Sequence, residues 1–153
     1  MLSALPPDPP AIIGRAAAID GDTLEIHGQR IRLWGVDAPE SRQTCTRGGA
    51  AYRCGREAAT NLDRLTRDQT VTCEPKGRPD RYRRIVARCT TATRAGGRWL
   101  IVDLAAAQVR EGHALDYRRY SAGAYAEAEA TGRNAGAGLL AGTFQRPWEW
   151  RAR

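Results

Sequence analysis

Between residues 12 and 36 the chain carries three short runs of alternating apolar and polar residues, separated only by tight-turn sequence. Period-two alternation of this kind builds half-buried strands rather than helices. Residues 12–19 and 23–27 read as strands, with Asp20-Gly21-Asp22 bending the chain between them. His27-Gly28-Gln29 is a hairpin signal, and residues 30–36 return as a third strand that Pro39 stops. Residues 41–53 are loop-like, with Gly48-Gly49 inside. Residues 56–66 place Ala58, Ala59, Leu62 and Leu65 at helical spacing. Residues 70–74 and 82–89 read as strands on either side of a basic turn at 76–80, and residues 99–102 as a further short strand. Asp103 is positioned to cap a helix that runs to Arg110 and ends at Gly112. Ser121 is positioned to cap a third helix through Ala130, with Gly132 as its stop. Strands first, with helices interleaved late, fit an α+β chain: a five-stranded OB-type Greek-key β-barrel with three packed α-helices.

The first ten residues hold four of the eight prolines, so residues 1–11 read as an extended arm or linker and residues 12–150 as one domain. At 153 residues the chain can bury a substantial core. The tail Pro147-Trp148-Glu149-Trp150 is expected to fold back on that core, since two exposed indoles are costly. Mean hydropathy is −0.54, and no run reaches the ~18 apolar residues of a membrane span. The net charge of +7 favours a polyanionic partner, nucleic acid before an anionic membrane surface. Lys76 is the only lysine, so nearly all the positive charge is guanidinium, which grips phosphate bidentately.

The four cysteines, Cys45, Cys54, Cys73 and Cys89, form no C-x-x-C pair, and neither His27 nor His113 is spaced to complete a zinc site. An even count in a small chain suggests disulfides and an oxidising compartment: secreted, periplasmic or cell envelope. Three connectivities exist. Cys45 and Cys54 flank a glycine-rich turn, and Cys73 and Cys89 each close an alternating segment, so the pairs Cys45–Cys54 and Cys73–Cys89 are favoured over the other two arrangements. Four buried thiols are the alternative. Residues 1–7 are too short and lack the basic segment of a secretory leader, so export would imply a leader already removed.

Two stretches carry the chemistry: Asp20-Gly21-Asp22-Thr23, then Arg32-Leu33-Trp34-Gly35-Val36-Asp37-Ala38-Pro39-Glu40. Asp80-Arg81-Tyr82-Arg83-Arg84 follows downstream. Phosphodiester hydrolysis needs charge neutralised on the phosphoryl oxygens, an activated water and in-line geometry. Asp22 and Asp37 fall at neighbouring strand ends and can share one hard cation, Ca²⁺ or Mg²⁺ rather than zinc, with the Ala38 carbonyl as a further ligand. Glu40, beyond a turn fixed by Pro39, is placed to polarise a water. Arg32 and Arg84 can hold a phosphate from two sides. Each piece alone also fits an ordinary turn or a solvated strand residue; the combination in this order is far more restrictive.

With those residues in that order the chain resembles the thermonuclease family, the staphylococcal-nuclease-like domains. Val86-Ala87, Val109-Arg110-Glu111-Gly112 and the Tyr117/Tyr120 segment extend the likeness over residues 12–150. The resemblance implies an OB-type barrel with three helices and Ca²⁺-dependent endonuclease activity on single- or double-stranded DNA and on RNA, leaving 3′-phosphate ends, by a protein expected to act as a monomer. It implies Asp22, Asp37 and the Ala38 carbonyl as Ca²⁺ ligands, Arg32 and Arg84 as catalytic arginines, and Glu40 in the general-base position. Tyr82 and, less closely matched, Tyr117 correspond to substrate-contacting tyrosines. Two positions depart from the family pattern. Arg83 stands where glycine is usual, and there it could add a phosphate contact or force a different backbone angle. Ala38 replaces a frequent threonine. A nucleic-acid-binding module of the same fold that does not cleave is the alternative function. An OB domain binding polysaccharide or protein would explain the aspartates but not the arginines.

Overall fold

His27 and Gly28 adopt φ of 52° and 78°, and they turn the chain through 180° between Ile26 and Gln29. Positive φ at both central residues is the geometry whose twist matches antiparallel strands, and Gly28 supplies half of it without steric cost. The computed structural model describes residues 4 and 8–153; the remaining part of the proline-rich arm, residues 1–3 and 5–7, lies outside the described residues. The strands are β1 Ile12–Gly14, β2 Ala17–Asp20, β3 Thr23–Ile26, β4 Gln29–Leu33, β5 Val36–Asp37, β6 Cys45–Arg47, β7 Ala50–Tyr52, β8 Val71–Pro75, β9 Ile85–Ala95, β10 Arg98–Asp103 and β11 Leu115–Asp116. The helices are α1 Cys54–Thr66, α2 Leu104–Arg110, α3 Arg118–Ser121, α4 Ala126–Asn134 and α5 Pro147–Arg151, with a 3₁₀ turn at Gly138–Ala141.

The main sheet runs β1-β8-β9-β4-β3-β2, with β10 paired to β9. Its two edges, β1 and β2, are consecutive pieces of one bent segment. The first piece bonds β8 at Ile12↔Cys73 and the second bonds β3 at Ala18↔Leu24. The sheet therefore curls on itself, five strand positions around, as the OB-type architecture requires. The expected strand at 12–19 is thus interrupted at Arg15-Ala16, where it leaves one neighbour for the other. β4 and β9 run parallel, with Ile31 opposite Ile85. Leu24, Ile26, Ile31 and Leu33 point inward from β3 and β4 and meet Val71, Cys73, Ala87 and Cys89 from β8 and β9. α1 closes one end of this core with Ala58 and Leu62, and α2 adds Leu104 and Val109.

Three helices were expected, and five are present among the described residues, two of them four- and five-residue pieces. Ser121 does not cap α4. It ends α3 and donates its hydroxyl to Asp116 Oδ1, while α4 begins after Tyr125. Gly132 is not a stop but a packing residue inside α4, where a Cβ would fall 2.9 Å from the Arg110 carbonyl oxygen. The segment 41–53 is less irregular than it reads, because β6 and β7 pair across the Gly48-Gly49 turn. Residues 82–84 are not strand. Asp80 Oδ1 accepts from the amides of Tyr82 and Arg84, at 2.9 and 3.0 Å, and holds them in a turn before β9. Two disulfides are formed, Cys45–Cys54 and Cys73–Cys89, the pairing that the spacing favours. The first ties the first residue of β6 to the first residue of α1. The second crosses β8 and β9 at paired positions. Of the two C-terminal tryptophans, Trp148 folds back and stacks on Tyr117 at 4.7 Å between ring centres, while Trp150 is half-buried. Among the described residues no helix is long and apolar enough to cross a membrane.

Candidate functional site

The turn between β2 and β3 presents Asp22 beside the end of β4, because Thr23 and Arg32 are paired across the sheet. Gly21 lets this turn lie against α1 and the loop after β5. A Cβ on it would sit 2.6 Å from that of Ala58 and 2.7 Å from that of Ala38. Asp37, at the end of β5, completes the group. Arg32 bridges the two carboxylates, with Nη1 2.6 Å from Asp22 Oδ2 and Nη2 3.2 Å from Asp37 Oδ1. Nη2 also donates to the Val36 carbonyl at 3.1 Å. Asp22 Oδ2 accepts from the Ala38 amide at 2.9 Å, and Oδ1 from the Thr23 hydroxyl at 3.1 Å. Ala38 thus reaches the site through its backbone N–H, whereas the sequence reading names its carbonyl.

Arg84 approaches from the other side of Thr23. Its Nη1 donates to Thr23 Oγ1 at 3.2 Å, and its Nε is held by Asp80 Oδ2 at 2.7 Å. The Thr23 hydroxyl therefore links Arg84 to Asp22, a relay that the sequence contained but that spacing alone did not disclose. Tyr82 is 64% exposed, with the Arg84 guanidinium 5.4 Å from its ring centre. Arg83 is exposed at φ 63°. That left-handed backbone is the one glycine adopts most readily.

The electrostatics of the aspartates differ. Burial raises Asp20, the charge of Asp22 raises it further, and it reaches about 7. Burial would also raise Asp22, but the Arg32 charge and the Ala38 amide outweigh it and hold the carboxyl well below the usual range. Burial raises Asp37, against the hydrogen bonds of a further arginine, Arg151.

Arg151 is the residue that sequence reading missed. From α5 it places Nη1 2.9 Å from Asp37 Oδ1 and Nη2 2.6 Å from Asp37 Oδ2, and the same Nη1 lies 3.0 Å from Glu40 Oε1. Nothing marks it among so many arginines except its place beside the tryptophan pair. Glu40 is set by two contacts of its backbone. Its amide donates to Gln43 Oε1 at 3.3 Å, and its carbonyl lies so close to Gly55 that a Cβ there would overlap it at 1.7 Å.

A model of the staphylococcal nuclease homologue family matches residues 30–140. The chain belongs to that family. Among relatives, this staphylococcal nuclease homologue is 44% identical over 131 residues to the succinoglycan biosynthesis protein ExoI of Rhizobium meliloti (strain 1021), covering 84% of this chain and 64% of that protein. It is 33% identical over 142 residues to the micrococcal nuclease of Shigella flexneri, covering 87% of this chain and 76% of that enzyme. The chain thus spans a little under two thirds of ExoI.

In this nuclease homologue the structure brings Asp22, Arg32, Asp37 and Ala38 into direct contact, joins Arg84 to them through Thr23, and joins Glu40 to Asp37 through Arg151. Tyr82 borders Arg84. Tyr117 stands apart: its ring packs between Trp148 and Tyr120. Among the described residues no three His, Cys, Asp or Glu side chains cluster closely enough to cage a metal unaided. The donor chemistry nonetheless fits a hard divalent cation. Two buried carboxylates already converge on one cationic group, Arg32, and backbone oxygen and water complete such shells readily.

Proposed function

We propose that the chain is a Ca²⁺-dependent endonuclease that hydrolyses phosphodiester bonds of DNA and RNA and leaves 3′-phosphate ends. The carrying observation is that Asp22, Arg32 and Asp37 contact one another while Arg84 reaches the same cluster through the Thr23 hydroxyl. The family membership and the likeness to a micrococcal nuclease support the same reading. Asp22, Asp37 and the Ala38 carbonyl would hold the Ca²⁺. Bound there, the ion supplies positive charge for a phosphoryl oxygen and acidifies a bound water. Arg32 and Arg84 neutralise the charge that builds on the phosphoryl group, from two directions fixed by Asp22 and Asp80. Glu40 takes the proton from the attacking water. Tyr82 and Arg83, both exposed beside Arg84, meet the flanking phosphates, and the net charge of +7 draws the polyanion in. The two disulfides fit action in an oxidising compartment outside the cytoplasm.

The test is digestion of single-stranded DNA with Ca²⁺, run beside the same reaction in a Ca²⁺ chelator. Cleavage confined to the Ca²⁺ arm, with 3′-phosphate products, supports the reading; folded protein that cuts in neither arm overturns it. The second reading, a nucleic-acid-binding module without cleavage, is favoured by one observation: Arg151 occupies Asp37 and Glu40 together. Such a module would bind oligonucleotide equally well in chelator.

A further inference from the structure

We infer that the cation site at Asp37 is contested by the chain's own Arg151, which also holds Glu40, so that a divalent cation binds only as α5 undocks. The inference rests on the reading of this cluster as a cation site. Asp37 is fully buried, and both of its oxygens accept from the two terminal nitrogens of Arg151. A bidentate guanidinium uses the same lone pairs that a hard cation would take. Arg32 already holds Asp37 Oδ1 as well, so that carboxylate has little acceptor capacity left.

Charge counting points the same way. With Asp20 protonated beside Asp22, the carboxylates that the two arginines hold, Asp22, Asp37 and Glu40, carry three negative charges against the two positive of Arg32 and Arg151. Adding a divalent cation on top of both arginines reverses the sign of a largely buried cluster. Exchanging it for Arg151 leaves the cluster neutral. Of the two arginines, Arg151 is the one free to leave: its side chain is 37% exposed against 16% for Arg32, and it stands on a five-residue helix rather than in the barrel wall.

The helix covers more than the carboxylates. Trp148, on the same α5, lies flat on Tyr117 with ring planes 7° apart. The segment leading into α5 is pinned by Gln43, whose Nε2 donates to the Gln145 carbonyl at 2.7 Å while its Oε1 holds the Glu40 amide. Asp37, the candidate base Glu40 and the Tyr117 ring are therefore covered by one short element with a pinned base. Undocking α5 frees all three together. In this arrangement Arg151 is a tethered competitor that sets how much Ca²⁺ the enzyme needs before it works.

Two measurements test this on folded, full-length protein. Calorimetric titration with Ca²⁺ alone should give about tenfold tighter binding for Arg151→Ala than for the parent, with Arg151→Lys between them, because the competing docked state lowers the apparent affinity. In the parent, trypsin should cut the Arg151–Ala152 bond faster in Ca²⁺ by a similar ~10-fold factor, since linkage makes the two effects reciprocal. A reporter peptide corrects for any effect of Ca²⁺ on trypsin itself. The trypsin arm uses no variant, so it stands even if Arg151→Ala folds poorly. Equal Ca²⁺ affinities together with a Ca²⁺-independent cut overturn the contest and leave the proposed function standing. Ca²⁺ binding to neither protein overturns the cation site and the contest with it.

Discussion

Gln108 Nε2 lies 2.8 Å from the Gly21 carbonyl oxygen and 3.0 Å from that of Ala58, and the whole side chain is buried. One amide on α2 therefore fixes the turn that presents Asp22 and ties it to α1. Its own oxygen accepts from Asn61 Nδ2 at 2.7 Å, so no polar atom of the amide is idle. Gln108→Leu keeps the volume but strips the Gly21 carbonyl of its donor and Asn61 of one acceptor, and an orphaned buried group costs roughly 1–3 kcal/mol. Urea unfolding should show a loss of about 1–3 kcal/mol with an unchanged m-value. Under the proposed function, DNA cleavage should fall beyond what the unfolded fraction accounts for, because Asp22 is no longer held in place. Wild-type stability in this variant would show that the turn is fixed by something else.

Arg32 and Arg84 should separate when mutated. Both substitutions to alanine should lower cleavage by orders of magnitude under the proposed function, roughly 10²-fold or more as for other lost transition-state donors. Only Arg32 should also carry a large stability cost. It lies between two buried aspartates, and its removal leaves them facing each other, a cost of about 3 kcal/mol. Arg84 is paired to the less buried Asp80. Thermal melts with and without Ca²⁺ check this. Ca²⁺ should restore much of the Arg32→Ala stability and little of any Arg84→Ala loss. Equal melting temperatures for the two variants in chelator would refute the difference.

How much of this could be read from the chain depends on sequence distance. The Asp22–Arg32–Asp37 cluster is legible because adjacent strands joined by short turns bring the three together; the Thr23↔Arg32 pairing follows from the His27-Gly28 turn almost by counting. The Asp103 cap is legible too, since its carboxylate meets the Ala105 and Ala106 amides through purely local geometry. Ser121 misleads for a physical reason. A serine a few residues ahead of an alanine- and glutamate-rich run has the chemistry of a cap, but its hydroxyl is drawn to Asp116, which the pairing of β11 with β5 brings near. The interruption at Arg15-Ala16 leaves no local trace, because alternation does not record which neighbour a strand pairs with. Arg151 is the extreme case: 114 positions separate it from Asp37, and only the folded core brings them together.

Arg83 carries a testable strain. A non-glycine residue at φ 63° costs about 1 kcal/mol relative to glycine, and its side chain is exposed with no packing to offset that. Arg83→Gly should therefore leave stability unchanged or raise it by up to about 0.6 kcal/mol after the ~0.4–1 kcal/mol of extra freedom of glycine in the unfolded chain is subtracted. If the guanidinium meets a phosphate, the same variant should lower the slope of log affinity against log salt on duplex DNA by about 0.9. Denaturation and a salt series of binding isotherms read the two effects independently. A destabilised variant with an unchanged slope would remove both arguments.

The disulfides should differ in what they protect. Each closes a short loop, nine and sixteen residues in sequence separation, worth about 2.5–3 kcal/mol on loop entropy. Cys73–Cys89 lies inside the barrel, so Cys73→Ala/Cys89→Ala should lower the melting temperature of the whole domain. Cys45–Cys54 braces the segment that follows Glu40 and belongs to a separate small core with Leu139. Cys45→Ala/Cys54→Ala should loosen that segment first. Hydrogen exchange should then rise over residues 41–53 before the barrel opens. Uniform exchange across both variants would mean that the two cores unfold as one.

Tyr125 gives the pH dependence its clearest sign. The ring is buried against Trp34, and its hydroxyl donates to Asp103 Oδ2 at 3.0 Å. Burial, with the Asp103 charge added and Arg88 opposing, pushes the phenol from 10.0 up to about 12. The folded state therefore keeps a proton that the unfolded chain gives up between pH 10 and 12. Its contribution to stability is complete below pH 10 and is lost as pH rises through about 12. Tyr125→Phe removes that titration. It should cost about 1 kcal/mol near neutrality through the lost hydrogen bond, while flattening the fall in stability between pH 10 and 12. Absorbance at alkaline pH should show one tyrosine of the parent ionising last, together with unfolding, and that step should be missing in the variant. An equally steep alkaline decline in Tyr125→Phe would assign the dependence to other groups.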